Sequence, residues 1–277
     1  MADVYGYARE TVVRDLLAVG AVAALLVVVH VGVSPAERAT LAFDHGTLDV
    51  AALYTSTVVH VDASHLLNNT SGYLTAAVVT YGLCLRARSR EWFLRTFVGL
   101  LVALPPLVGL TSYTILGWQF TGFDPVTRGF SGVAAGFVGF LFVALVATLR
   151  VEYGRRAGWY LGAAVWLLLL GEVSVIYGGR YTAPTVALVA VGWAVCGWVV
   201  VGERGRPTVD TVVQALGGDA VQLSLAVLLL SSFVVVLFPA DIVGDGSVTN
   251  VFAHAAGLCY GVLGATLSLG VAGTERV

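Results

Sequence analysis

The chain has 277 residues, of which 58% are hydrophobic and 12% charged, with a net charge of −2 and a mean hydropathy of +0.87. A soluble domain carries about 25% charged residues, so this composition excludes an ordinary soluble protein, and the charge balance gives no reason to expect nucleic acid as a partner. The apolar residues fall in blocks of membrane-spanning length, which predicts an all-α polytopic bundle embedded in the lipid bilayer as one membrane domain, residues 1–277.

The N-terminal stretch "MADVYGYARETVVRD" is mixed in charge and lacks the features of a cleavable signal, so the apolar run after it is expected to remain as a span. Windows of about 20 apolar residues lie near 16–34, 65–83, 93–116, 130–149, 159–178, 183–202, 220–238 and 251–272, giving eight expected helices. The first connection, 35–64, is long and has apolar patches of its own, whereas the others are short. Pro105 and Pro106 are expected to kink the third helix. Only "GGRYTA" parts the fifth and sixth windows. Cys84, Cys196 and Cys259 sit in apolar segments without CxxC spacing and read as small buried hydrophobes.

All fifteen basic residues are arginine. With the N-terminus in the cytoplasm, twelve of them fall in inner segments, and only Arg38, Arg128 and Arg180 in outer ones. Arginine favours the cytoplasmic side, so a multi-pass protein of the cell membrane with both termini cytoplasmic is expected. The second, fourth and eighth helices then all enter from outside. His65, Asn69, Ser131 and His254 should therefore share a depth just below the outer face.

Polar side chains are costly in hydrocarbon and, where present, usually face the bundle interior and serve a function. "HVDASHLLNN" places His65 and Asn69 at i and i+4, hence on one helix face. There they are suited to stabilise negative charge developing on a carbonyl oxygen. "RGFSGVAAGFVGF" sets Ser131 between Gly129 and Gly132, which lets another backbone approach the hydroxyl. Gly132 and Gly136 share one face of the fourth helix, and Gly257 and Gly261 share one face of the eighth. Small residues at such spacing permit tight packing of membrane helices. If those two faces meet, His254 comes within reach of Ser131 and can act as its general base. No carboxylate is placed to orient His254, so the arrangement is a Ser–His dyad.

Together, "HVDASHLLNN", "GFSG" and "AHAAGLCYG" resemble the rhomboid intramembrane serine proteases, here of archaeal or bacterial type with additional helices. The family pattern is His-x4-His-x3-Asn, Gly-x-Ser-Gly and Ala-His-x2-Gly-x3-Gly, and all three occur here in order. The resemblance implies Ser131 as nucleophile and His254 as base. It assigns the oxyanion hole to His65, Asn69 and the Ser131 backbone N–H, and gives His60 a supporting role. It further implies transmembrane proteins as substrates, cut near the outer membrane face, and no metal or organic cofactor. The likeness is specific over 54–73, 128–137 and 252–264 and only architectural elsewhere.

Three departures stand out. Three helices are expected between the serine and histidine helices, within 150–240, where the family has one. Ala135 replaces an aromatic common four residues after the serine, leaving Phe137 or Tyr260 as candidates to hold His254. "SPAERATLAFDHG" replaces the Trp-Arg pair of the first loop. The competing readings are a rhomboid-like protein that binds transmembrane clients without cutting them, and a small transporter. Oligomeric state is not legible in the sequence.

Overall fold

The structure is a computed structural model that describes residues 4–87, 89–119, 126–204, 218–241, 243–244 and 247–272. Arg88, Arg206 and Arg276, counted above among the inner arginines, lie outside the described residues. Among the described residues the chain is all-α apart from two short antiparallel strand pairs. In chain order it forms α1 (Arg9–Gly32), α2 (Pro35–Thr40), β1 (Phe43–Asp44), α3 (Val50–Val58), α4 (Ala63–Arg86), α5 (Arg90–Gln119), β2 (Val126–Thr127) and α6 (Ser131–Tyr153). There follow α7 (Arg155–Gly178), α8 (Ala183–Arg204), α9 (Gly218–Leu237), β3 (Val243–Gly244), β4 (Ser247–Val248) and α10 (Val251–Ala272).

Each of the eight apolar windows coincides with a helix, and α7, α8 and α9 separate α6 from α10 along the chain. Among the described residues, six helices are long and apolar enough to cross a membrane: α1, α5, α6, α7, α8 and α10. Of the other two, α9 has a shorter apolar stretch, Val221–Leu237. In α4, the first turns are occupied by Ser64, His65, Asn68, Asn69, Thr70 and Ser71. The expected loop 35–64 is largely ordered, with a capping box between Ser34 and Glu37 starting α2 and Asp49 capping α3. α5 continues as helix through Pro105 and Pro106.

The chain divides into two compact units, residues 1–140 with 243–277 and residues 141–242, so that α6 contributes to both. In the second unit α7 and α8 pack as an antiparallel pair, with Gly192 against Leu167 and the Trp193 indole N–H donating to the Ala164 carbonyl at 3.0 Å. α9 packs on α7, and the Arg150 guanidinium lies over the Trp159 ring. A cavity of about 340 Å³ between α7 and α8 is lined by apolar residues together with Glu172, Tyr181 and Thr185. The Glu172 Oε2 is buried without a partner among the described residues.

In the first unit α10 packs chiefly against α5, antiparallel to it. The Trp92 indole donates to the Ala265 carbonyl at 3.0 Å, and the Thr96 and Ser268 hydroxyls are hydrogen-bonded at 2.6 Å. At the end of α4 away from His65, Arg90 grips Asp15 through Nε and Nη2 at 2.6 and 2.7 Å, while the Tyr81 hydroxyl donates to the same carboxylate at 2.6 Å. This bidentate pair ties α1, α4 and α5 together, and Asp15 is buried. Removing Arg90 leaves the buried Asp15 carboxylate without its counter-charge, a costly arrangement even though the arginine itself is partly exposed. Arg90→Ala is therefore expected to lower the thermal unfolding midpoint in detergent markedly. Arg90→Lys should recover only part of the loss, since an ammonium does not reproduce the two-pronged contact.

Candidate functional site

The site is built where α4, α6 and α10 begin. Ser131 is the first residue of α6, so its N–H has no acceptor within the helix. The turn before it depends on Gly129, whose φ of +116° is a conformation that L side chains rarely adopt. The Gly129 N–H donates to the Ser56 carbonyl at 2.8 Å, which ties the turn to α3.

Asp62 caps α4 by accepting from the His65 N–H at 2.8 Å, and its carboxyl is held below the usual range by that bond and by the Ser64 hydroxyl. One turn on, the two polar side chains of α4 converge on the Gly129 backbone. A methyl group at Gly129 would lie 2.7 Å from the His65 ring and 3.1 Å from the Asn69 amide nitrogen. Asn69 is buried, and its Nδ2 has no acceptor among the described residues.

His60 sits behind this turn, 1% exposed, with its ring edge-to-face against His65 at 5.2 Å. The Phe130 N–H donates to His60 Nε2 at 3.4 Å, which requires that nitrogen to be unprotonated. Burial, reinforced by the neighbouring His65, lowers the His60 pKa to about 4. The unfolded chain, with histidine near 6.5, thus binds a proton between about pH 6.5 and 4 that the native chain refuses. Stability from this residue is complete above pH 6.5 and is lost as pH falls towards 4. The thermal midpoint of the wild type should decline over that window, and that of His60→Gln, which cannot titrate, should decline less.

The glycine faces of α6 and α10 meet. A methyl group at Gly132 would lie 3.4 Å from the Ala253 carbonyl oxygen, and one at Gly136 would lie 3.3 Å from that of Gly257. Methyl groups at Gly257, Gly261 and Gly139 would collide with the backbone carbonyls of Gly132, Gly136 and Leu258 respectively. Residue numbers rise together along both helices, so α6 and α10 run parallel. Gly132 adjoins Ser131 and Ala253 adjoins His254, which brings both residues to the same end of the packed pair. Ser131 is half-buried and His254 buried. The Cβ positions at Gly132 and Gly136 also meet α5, and more closely: a methyl at Gly132 would lie 2.6 Å from Val108, and one at Gly136 would collide with Leu104.

Position 135 lies within this seam: the Ala135 methyl would be 3.3 Å from a methyl at Gly257. A large aromatic there would have to push α10 away. Phe137 packs against Tyr73 and Phe97, with ring centroids 5.1 and 5.6 Å away, and the Tyr260 hydroxyl is hydrogen-bonded to Thr111 at 2.9 Å. Among the described residues no group of three or more His, Cys, Asp or Glu side chains is arranged to hold a metal ion.

The sequence reading missed a polar cluster beside the site. Asn250, preceding α10, donates its amide to the Ser112 hydroxyl at 3.1 Å and to the Thr127 hydroxyl at 3.5 Å. Thr127 is in turn hydrogen-bonded to His45 Nε2 at 2.8 Å. β1 and β2 pair antiparallel, with Phe43 opposite Thr127. The one local signal was an Asn immediately before an apolar run, a common helix cap.

Compared with known proteins, the chain matches no protein-family model, no curated protein and no solved structure.

Close packing of α6 on α10 allows a direct test. Gly257→Ala is expected to force the helices apart and to lower stability by about 1–3 kcal/mol. Gly270→Ala, with open space at its Cβ, should be neutral when the two are compared by thermal unfolding.

Proposed function

We propose that this protein is an intramembrane serine protease of rhomboid type. In this reading eight helices cross the membrane, both termini are cytoplasmic, and the substrates are transmembrane segments of other proteins cut near the outer face. The observation that carries the reading is the parallel, glycine-mediated packing of α6 on α10, with Ser131 and His254 adjoining the touching residues Gly132 and Ala253. Convergence of His65 and Asn69 on the turn before Ser131 supports it further.

The chemistry follows from the groups present. His254 accepts the Ser131 proton as Oγ attacks the scissile carbonyl, and returns it to the departing amine. The tetrahedral oxygen that forms needs donors fixed in advance. Asn69 Nδ2, buried and without an acceptor among the described residues, is one such donor, and the Ser131 N–H at the helix start is another. His65 completes the set from the same face of α4. Water then hydrolyses the acyl-enzyme, with His254 acting again as base. His60, by holding the Phe130 N–H, keeps the turn that aims Ser131.

The experiment is labelling of the purified protein with a fluorescent fluorophosphonate. Wild type should label, and Ser131→Ala and His254→Ala should not, while all three unfold at similar temperatures. Asn69→Ala should slow cleavage by about 10²-fold or less, because the remaining donors partly compensate. Labelling that persists in Ser131→Ala would remove the nucleophile assignment, and a folded wild type that neither labels nor cleaves would favour a client-binding protein.

A further inference from the structure

We propose that Asn250 is a positioning residue for the Ser131–His254 pair, an inference that rests on the protease reading above. Asn250 stands four residues before His254, and Thr127 four residues before Ser131. The Asn250–Thr127 hydrogen bond therefore joins the two segments that lead into the two helices. None of the residues in this cluster belongs to the three motifs that carry the chemistry.

The Asn250 carboxamide does two separate jobs. Its Oδ1 accepts from the Ala253 N–H at 3.0 Å and so caps α10 one residue before His254. Its Nδ2 reaches out of the helix to Ser112 on α5 and Thr127 on β2. Both anchors are themselves held. Ser112 is fully buried. Thr127 is fixed through its backbone by pairing with Phe43 and through its hydroxyl by His45, whose buried ring lies 4.8 Å from that of Phe43 and 6.2 Å from that of Tyr113.

The glycine seam lets α6 and α10 approach but resists rotation of one about the other only weakly, since it is made of backbone and small groups. A hydrogen bond from the cap of one helix to the strand entering the other supplies the missing restraint. It sets the height and rotation of the His254 turn relative to Ser131. Proton transfer demands such precision, because misplacement by about 1 Å can cost on the order of 10²-fold in rate.

The two jobs can be parted by substitution. Asn250→Ser keeps a side-chain oxygen to cap α10 without adding charge, but it removes the amide that reaches Ser112 and Thr127. Thr127→Val removes the acceptor from the other side without adding charge, and Thr127→Ser keeps the hydroxyl. The measurement is the rate and extent of fluorophosphonate labelling at one pH, separating the inactivation rate constant from probe affinity, with thermal unfolding alongside.

Asn250→Ser and Thr127→Val should each lower the inactivation rate constant by about tenfold to a hundredfold, with probe affinity, final labelled fraction and unfolding midpoint close to wild type. Thr127→Ser should restore the wild-type rate. A purely structural role would instead lower the midpoint and the labelled fraction while leaving the rate constant of the folded fraction unchanged, and that result overturns the proposal. Wild-type rates in both Asn250→Ser and Thr127→Val overturn it as well, without touching the protease reading. A wild type that never labels, or that labels independently of Ser131, overturns the protease reading and the positioning role with it.

Discussion

The contact on which this structure depends is the backbone-to-backbone seam between α6 and α10. In a bilayer, lipid tails solvate apolar side chains as well as other helices do, so burial of apolar surface gives little drive for two helices to associate. What holds them is close van der Waals contact, available only where side chains are absent. Gly132, Gly136 and Gly139 on one helix and Gly257 and Gly261 on the other meet this condition, and the two helices pack parallel through them. The site follows from that geometry. A serine at the first turn of α6 and a histidine in the first turn of α10 come to the same end because the seam runs in the same direction through both.

The two ends of the first unit are fastened differently. Away from the site, a bidentate Arg90–Asp15 pair with the Tyr81 hydroxyl fixes α1, α4 and α5 by charge. At the site end neutral groups join the fastening: His45, Thr127, Ser112 and Asn250 exchange hydrogen bonds, and His60 receives the Phe130 N–H while burial keeps it uncharged, beside the Asp62 carboxylate that caps α4. Irregular backbone at this end is also tolerable only because it is paired, by β1 with β2 and by Gly129 with Ser56.

The small residue at position 135 has a physical reading in the same seam. Ala135 packs against Gly257, at the level where α6 and α10 are closest. A ring there would separate the helices, so the small residue is part of the close approach. Phe137 turns instead into an aromatic cluster with Tyr73 and Phe97, which locks α6 to α4 and α5.

Much of this was legible in the residues themselves. Helix positions follow from apolar windows, because a membrane imposes a minimum length. The i, i+4 pairing of His65 with Asn69 and the four-residue spacing of Gly132 with Gly136 and Gly257 with Gly261 follow from helix periodicity, which is local. Against the eight spans expected, six of the described helices are long and apolar enough to cross a membrane: α4 opens with polar turns, and the apolar stretch of α9 is short. Tertiary structure alone decided which faces meet and in which direction, that Gly139 joins the seam, and that His45, Ser112, Thr127 and Asn250, spread over some two hundred residues of chain, form one cluster. Those residues carry no periodic signature, and each is ordinary for its place. Their pairing is a matter of long-range packing, which sequence spacing does not encode, whereas the spacing along a single helix is set by the geometry of the backbone.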